Sequence, residues 1–309
     1  MKLKLVLAAI GTLLAATSAE AQQKIAIGCT AVTDCGSATI AVDEGIFKRL
    51  GVDASMVKIA INSDIPAALL SNSIQFGGVT APLFLQAVDG GLDIVGVSGA
   101  SIMHPTTLKI AAVAVARKGV AISSPKDYVG KKVGAPGFGA WLHVMFLRWL
   151  VDNGVDPKSV NFVEVSLPNQ SDALKSGAID LALTGGPFVK QMQDAGVGEI
   201  ATNYVAELNR SEPIIFYAAS RDWVDKNPEL LRKFREAIVE GGKIQNSDHG
   251  KAAASLSKFT GQSVKLLTEN PVAFQKPDMK PGDLAWYVEF MTKIKLLQGK
   301  IDLDKVVLK

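Results

Sequence analysis

Short apolar runs bounded by turn residues alternate along this chain with stretches whose apolar positions recur at helical spacing. KIAIG at 24–28 and the runs at 52–59, 75–80 and 92–97 predict buried strands, while 38–50, 65–71 and 82–88 predict helices between them. Gly51 and the pair Gly90-Gly91 stop two of these helices, and Ser63 or Asp64 is placed to cap the third. The run TLKIAAVAVAR at 107–117 reads as an extended crossing. The alternation then resumes, with strands at 132–135, 160–165, 179–184 and 200–204 and helices at 140–153, 169–176 and 187–195. Residues 124–127 predict a short helix or turn. Strands alternating with short helices at this tempo predict α/β lobes, each with a mostly parallel sheet flanked by helices.

The pattern contains an internal echo. ALLSNSIQFGGVTAP at 68–82 and ALKSGAIDLALTGGP at 173–187 share five of fifteen positions, and a Gly-Val-Asp precedes each copy, at 51–53 and 154–156. Each window reads as a helix end, a buried strand and a tight turn into a helix opened by Pro, whose missing N–H is tolerated there. Residues 213–219 predict a return strand, and the remainder turns helical, with starts at Asn227-Pro228, Ser247 and Pro281. This predicts a discontinuous first lobe, 22–111 with 216–309, and an inserted second lobe, 112–215. Two crossings near 112–118 and 210–216 would form a hinge.

Composition adds an address. Met1-Lys2-Leu3-Lys4, an apolar run to Ala16 and Ala19-Glu20-Ala21 read as a secretory signal peptide over 1–21. The expectation is a periplasmic chain beginning at Gln22. With 33 basic and 30 acidic residues, scattered and nearly balanced, the chain offers no nucleic-acid footprint. Its two cysteines, Cys29 and Cys35, would meet an oxidising compartment, where a disulfide is expected; the alternative is two unpaired, partly buried thiols.

PKDYVGKKVG at 125–134, the GFGAWLH turn after it, Gly154-Val155-Asp156-Pro157, ALKSGAID at 173–180 and Asp43-Glu44-Gly45-Ile46-Phe47 resemble the solute-binding proteins of ABC importers for nitrate, aliphatic sulfonates, taurine and thiamine-pyrimidine precursors. The resemblance implies a two-lobed type II periplasmic-binding fold joined by two crossing segments. It also implies a small-molecule solute held in the cleft, ABC permease subunits at the inner membrane as partners, a monomer and no cofactor. Ala140 stands where relatives often place a Ser, which weakens the carry-over to sulfonate.

In open α/β sheets, ligands sit beyond the carboxyl ends of strands, where helix N-termini favour oxygen-rich groups. That directs attention to Thr30 and Thr33, Thr80 and Ala81, Gly139 and Ala140, and Thr184, Gly185 and Gly186. Phe138 is the aromatic expected to meet an apolar part of the solute, whereas Trp141 divides between the pocket and a core face shared with Met145 and Trp149. His143 and Tyr217 are further candidates, and Arg117 and Arg210 are the basic groups expected near the cleft or solvated beside the hinge. The expected solute is a small organic carboxylate or sulfonate, with a neutral heterocycle close behind.

His104, His143 and His249 lack metal-ligand spacing, and neither G-x-S-x-G nor a P-loop is present, so no catalytic or metal residue is assigned. The thiamine-precursor synthases among the relatives use a cysteine-rich motif that this chain lacks. The alternatives to a transport binder are an exported enzyme of the same fold acting on a small heterocycle or organic acid, and a binder that signals to a membrane receptor.

Overall fold

The computed structural model describes residues 23–309 apart from 207 and 209, so the expected signal peptide, 1–21, lies outside the described residues. Alternation buries Ile25, Ile27 and Cys29 in β1 (Gln23–Cys29). The helix predicted over 38–50 is broken into α1 (Gly36–Asp43) and α2 (Ile46–Arg49), because Gly45 between them takes a left-handed φ of 67°. β2 (Val52–Lys58), α3 (Ile65–Leu70), β3 (Phe76–Thr80), α4 (Ala81–Asp89) and β4 (Ile94–Ile102) follow as the periodicity predicts, β4 running longer.

The run at 107–117 is not wholly extended. Its first half belongs to α5 (Pro105–Ala111), and its second half is β5 (Val113–Arg117). Then come β6 (Lys132–Ala135), α6 (Trp141–Asp152), β7 (Asn161–Glu164), α7 (Gln170–Ser176), β8 (Leu181–Thr184), α8 (Pro187–Asp194) and β9 (Gly198–Asn203). β10 (Pro213–Ser220) leads into α9 (Arg221–Lys226), α10 (Pro228–Ser247), α11 (His249–Thr260) and α12 (Val264–Glu269). The chain closes with α13 (Ala285–Lys293) and α14 (Leu303–Val306).

The strands form two five-stranded sheets of matching design, ordered β2-β1-β3-β10-β4 and β7-β6-β8-β5-β9. In the first, β1 runs parallel to β2 and β3, and β10 runs antiparallel to both its neighbours. In the second, β6 runs parallel to β7 and β8, and β5 is antiparallel to β8 and β9. The two windows of the sequence echo fall on corresponding places, α3-β3-α4 and α7-β8-α8. The antiparallel strand of each sheet therefore arrives directly from the other sheet. The connections between the sheets follow Ile102 and Asn203 and end at Val113 and Pro213, where VAVA at 113–116 is a strand buried between two neighbours and Pro213 pairs with Ile102.

The outer edge of β4 is covered. Backbone bonds from Gly99 to Pro277, Lys276 to Ala100 and Ile102 to Phe274 add a short extra strand, and a Cβ on Gly99 would strike the Lys276 carbonyl. One face of the first sheet packs on α1 and α10 through Ile27, Phe47, Phe76 and Phe234, with the Phe76 and Phe234 rings stacked at 3.7 Å between centroids. An apolar cluster continues from Ile65, Phe84 and Tyr287 to Trp141, Phe146 and Leu183, so the two lobes share packing. Among the described residues no helix is long and apolar enough to cross a membrane.

Gly241 of α10 lies so close to α1 that a Cβ there would collide with the Ser37 carbonyl, a backbone atom with no room to yield. Gly241→Ala is expected to cost about 1–3 kcal/mol of stability through overpacking, seen as a lower urea midpoint with an unchanged slope.

Candidate ligand-binding site

The carboxyl ends of the parallel strands in both sheets open onto one mostly apolar cavity of about 410 Å³. Residues 30–34, after β1, line it together with Lys58, Asn62 and Thr80. Opposite stand Pro136, Ala140, Trp141 and Leu142, residues 166–169 and residues 185–188, while Ile214, Ile215 and Gln262 complete the wall. The sequence candidates Thr30, Thr33, Thr80, Ala140, Trp141, Gly185 and Gly186 are brought together here.

Other candidates are placed elsewhere. Ala81 is buried at the start of α4, and Thr184 is buried behind the wall with an unpartnered hydroxyl. Phe138 is 43% exposed and outside the cavity lining, its ring beside that of His143 at 5.4 Å between centroids, while its backbone N–H donates to the Glu164 carboxylate at 2.8 Å. Gly139, at a φ of 76°, gives its N–H to His143 Nδ1 and its carbonyl to Gln86 Nε2 of α4. Tyr217 is fully buried, its hydroxyl bonded to Ser37 Oγ and to the Ala38 N–H at the start of α1. Burial raises its pKa further above the ordinary phenol value. Arg117 pairs with Asp180, and Arg210 pairs with Glu212 and lies over the Trp286 ring, so neither reaches the wall. Trp141 serves both expected roles: it lines the cavity and sits in the core, its indole N–H donating to Tyr287 Oη at 2.9 Å.

Helix N-termini, the expected anion sites, are partly occupied by the protein itself. Near the start of α1, the Ser37 and Ala38 N–H groups donate to Gln275 Oε1 and Tyr217 Oη. The turn into α6 is held by Glu164 and His143. Thr80 Oγ1 and Gln262 Nε2, on cavity-lining residues 7% and 8% exposed, are themselves buried without a hydrogen-bond partner.

Cys29 and Cys35 are joined in a disulfide, and all five residues between them line the cavity. The bridge rests on Gly78 of β3, where a Cβ would run into Cys35 Sγ. Asp34 lies inside this bridged loop and was not singled out from the sequence. Together with Lys58 it supplies the charged side chains of the cavity wall. The Lys58 ammonium lies 5.9 Å from the Phe259 ring centroid. Burial raises the Asp34 pKa, opposed by the hydrogen bond from Ser101 and by its own backbone N–H. Gln262 was also missed, since it reaches the cavity from a segment far along the chain.

A two-sheet body with a cavity at the strand ends, fed by two crossings, defines the type II periplasmic-binding fold. Within that class the chain belongs to the NMT1/THI5-like family, which matches residues 33–246. It is 22% identical over 256 residues to the nitrate/nitrite binding protein NrtA of Synechococcus elongatus, covering 70% of this chain and 53% of that protein. The chain thus spans about half the length of the curated relatives it matches. The alkanesulfonate-binding protein SsuA of Xanthomonas axonopodis pv. citri, bound to MOPS, shares the fold with a TM-score of 0.75 at 17% identity, over 92% of this chain and 98% of that one. The periplasmic nitrate-binding protein NrtA of Synechocystis PCC 6803 gives 0.73 at 18%, over 92% and 86%.

His143 is held neutral: burial lowers its pKa to about 4 while Nδ1 accepts the Gly139 N–H. The unfolded chain takes up this proton first, near pH 6.5, so the stability contribution is complete above that pH. It is lost as pH falls toward 4, at up to about 1.4 kcal/mol per unit. His143→Gln is expected to flatten the fall in melting temperature between pH 6.5 and 4.5; an equally steep profile in the variant would exclude His143 as its source.

Proposed function

We propose that this chain is the solute-binding component of an ABC importer, working as a periplasmic monomer that captures a small organic solute and presents it to membrane permease subunits. The observation that carries this reading is the mostly apolar cavity of about 410 Å³ with walls from both sheets. The names of the relatives, which describe nitrate- and sulfonate-binding proteins, support the same role. We assign binding without turnover on the names of these relatives, which are those of binding proteins.

The crossings at 103–112 and 204–212 would serve as the hinge. Solute held by both walls stabilises the closed arrangement only through contacts that the open one lacks. A carboxylate or sulfonate on the solute would find the Lys58 side chain on the same wall, and the apolar wall at Trp141 and Leu142 would take its organic body.

A thermal-shift panel of nitrate, alkyl sulfonates, aromatic carboxylates and pyrimidines tests this, paired with small-angle scattering. A ligand at a hundred times its dissociation constant adds about 2.7 kcal/mol, and the expected companion is a smaller radius of gyration. Binding without compaction would remove the hinge, and no shift across the panel would argue against the binding role.

A further inference from the structure

We propose that Asp34 is the specificity-determining residue of this cavity and accepts a hydrogen bond from a nitrogen donor on the solute, an amine, amidine or amino-substituted ring. The proposal rests on the solute-binding reading above and narrows its ligand class. It sets the chain apart from proteins that take simple anions.

The direction of the hydrogen bonds around Asp34 supports the assignment. The Ile215 N–H donates to Ser101 Oγ at 3.3 Å, which leaves the Ser101 hydroxyl proton for Asp34 Oδ1 at 2.6 Å. Asp34 is therefore held as an acceptor by a strand of the first sheet. Gln275 Nε2 grips its backbone carbonyl at 3.1 Å, and the disulfide closes the loop on either side. Among the described residues no cation forms an ion pair with it, and Lys58, the cation on the same wall, is turned over Phe259.

A half-buried carboxylate with only neutral partners is held at a cost in the unliganded protein. A helix-capping role does not account for it, since the Ser37 and Ala38 N–H groups go to Gln275 and Tyr217. What the arrangement lacks is a donor on the cavity side. A solute N–H supplies one, whereas a carboxylate or sulfonate with no such group places like charge beside Asp34.

The test uses paired probes that differ by one amino group: ethanesulfonate with 2-aminoethanesulfonate, benzoate with 4-aminobenzoate, and pyrimidine with 4-aminopyrimidine. Titration calorimetry on the wild-type chain is expected to show at least one amino member binding about tenfold or more tightly than its parent. That preference should vanish in Asp34→Asn and shrink in Ser101→Ala. Parents that bind as well as their amino partners, or a preference that survives in Asp34→Asn, overturn the proposal and leave the binding role standing. No heat from any probe, with no compaction in scattering, overturns the binding role and this proposal with it. A measurement without ligand adds an independent arm. Unliganded Asp34→Asn is expected to melt higher than wild type at neutral pH; a lower melting temperature would show that the carboxylate serves the loop itself, and would overturn the proposal.

Discussion

Each sheet of this protein is completed by a strand that comes directly from the other. β5 enters the second sheet from the end of β4, and β10 returns to the first from the end of β9, each lying antiparallel between two strands that are parallel to one another. Removing either exchange would separate a sheet's last strand from the rest. The two crossings are thus fixed by strand pairing, and they hold the carboxyl ends of both sheets toward one cavity. Many of the groups that line it follow from this placement, because residues 30–34, Pro136 and residues 185–186 come directly after strands.

Within that frame, the local chemistry divides between groups spent on structure and groups left open. Tyr217, Gln275, Glu164 and His143 satisfy backbone donors near the starts of α1 and α6. The disulfide braces the loop after β1 against Gly78, so the cavity wall there is held from behind by a covalent link and a close backbone approach. Asp34 and Lys58 remain as the charged residues of the wall. A rigid wall bearing a few open polar groups discriminates better than a flexible one, because little ordering is left for the ligand to impose.

Much of this was legible in the chain. Periodicity located the strands because most are short and buried, and the echo between 68–82 and 173–187 pointed to two similar lobes, as the matched strand orders of the sheets bear out. What failed had local causes. Gly45 looked like one position within a longer helix, yet its left-handed backbone splits it; the apolar run at 107–117 has no periodic break, yet its first half is helical. At the site, strand ends were readable, and Thr30, Thr80, Ala140 and Gly185 line the cavity. Phe138 packs beside His143 outside the cavity, and Tyr217 is held in the core by its hydroxyl's bonds to Ser37 Oγ and the Ala38 N–H. Asp34 and Gln262 gave no pattern: their surroundings are assembled from positions such as 101, 215 and 275, far away in sequence.

The covered edge of β4 bears on the order in which the chain can be completed. All five strands of the second sheet lie in one uninterrupted stretch, 113–203, so that sheet can form once this segment is available. The first sheet must await β10, then the 274–277 segment that closes its edge, and finally Val307, which bridges to Gly96. During synthesis from the amino end, its four earliest strands therefore spend the longest time without a finished border. The half of the molecule that is made first is the half that is finished last.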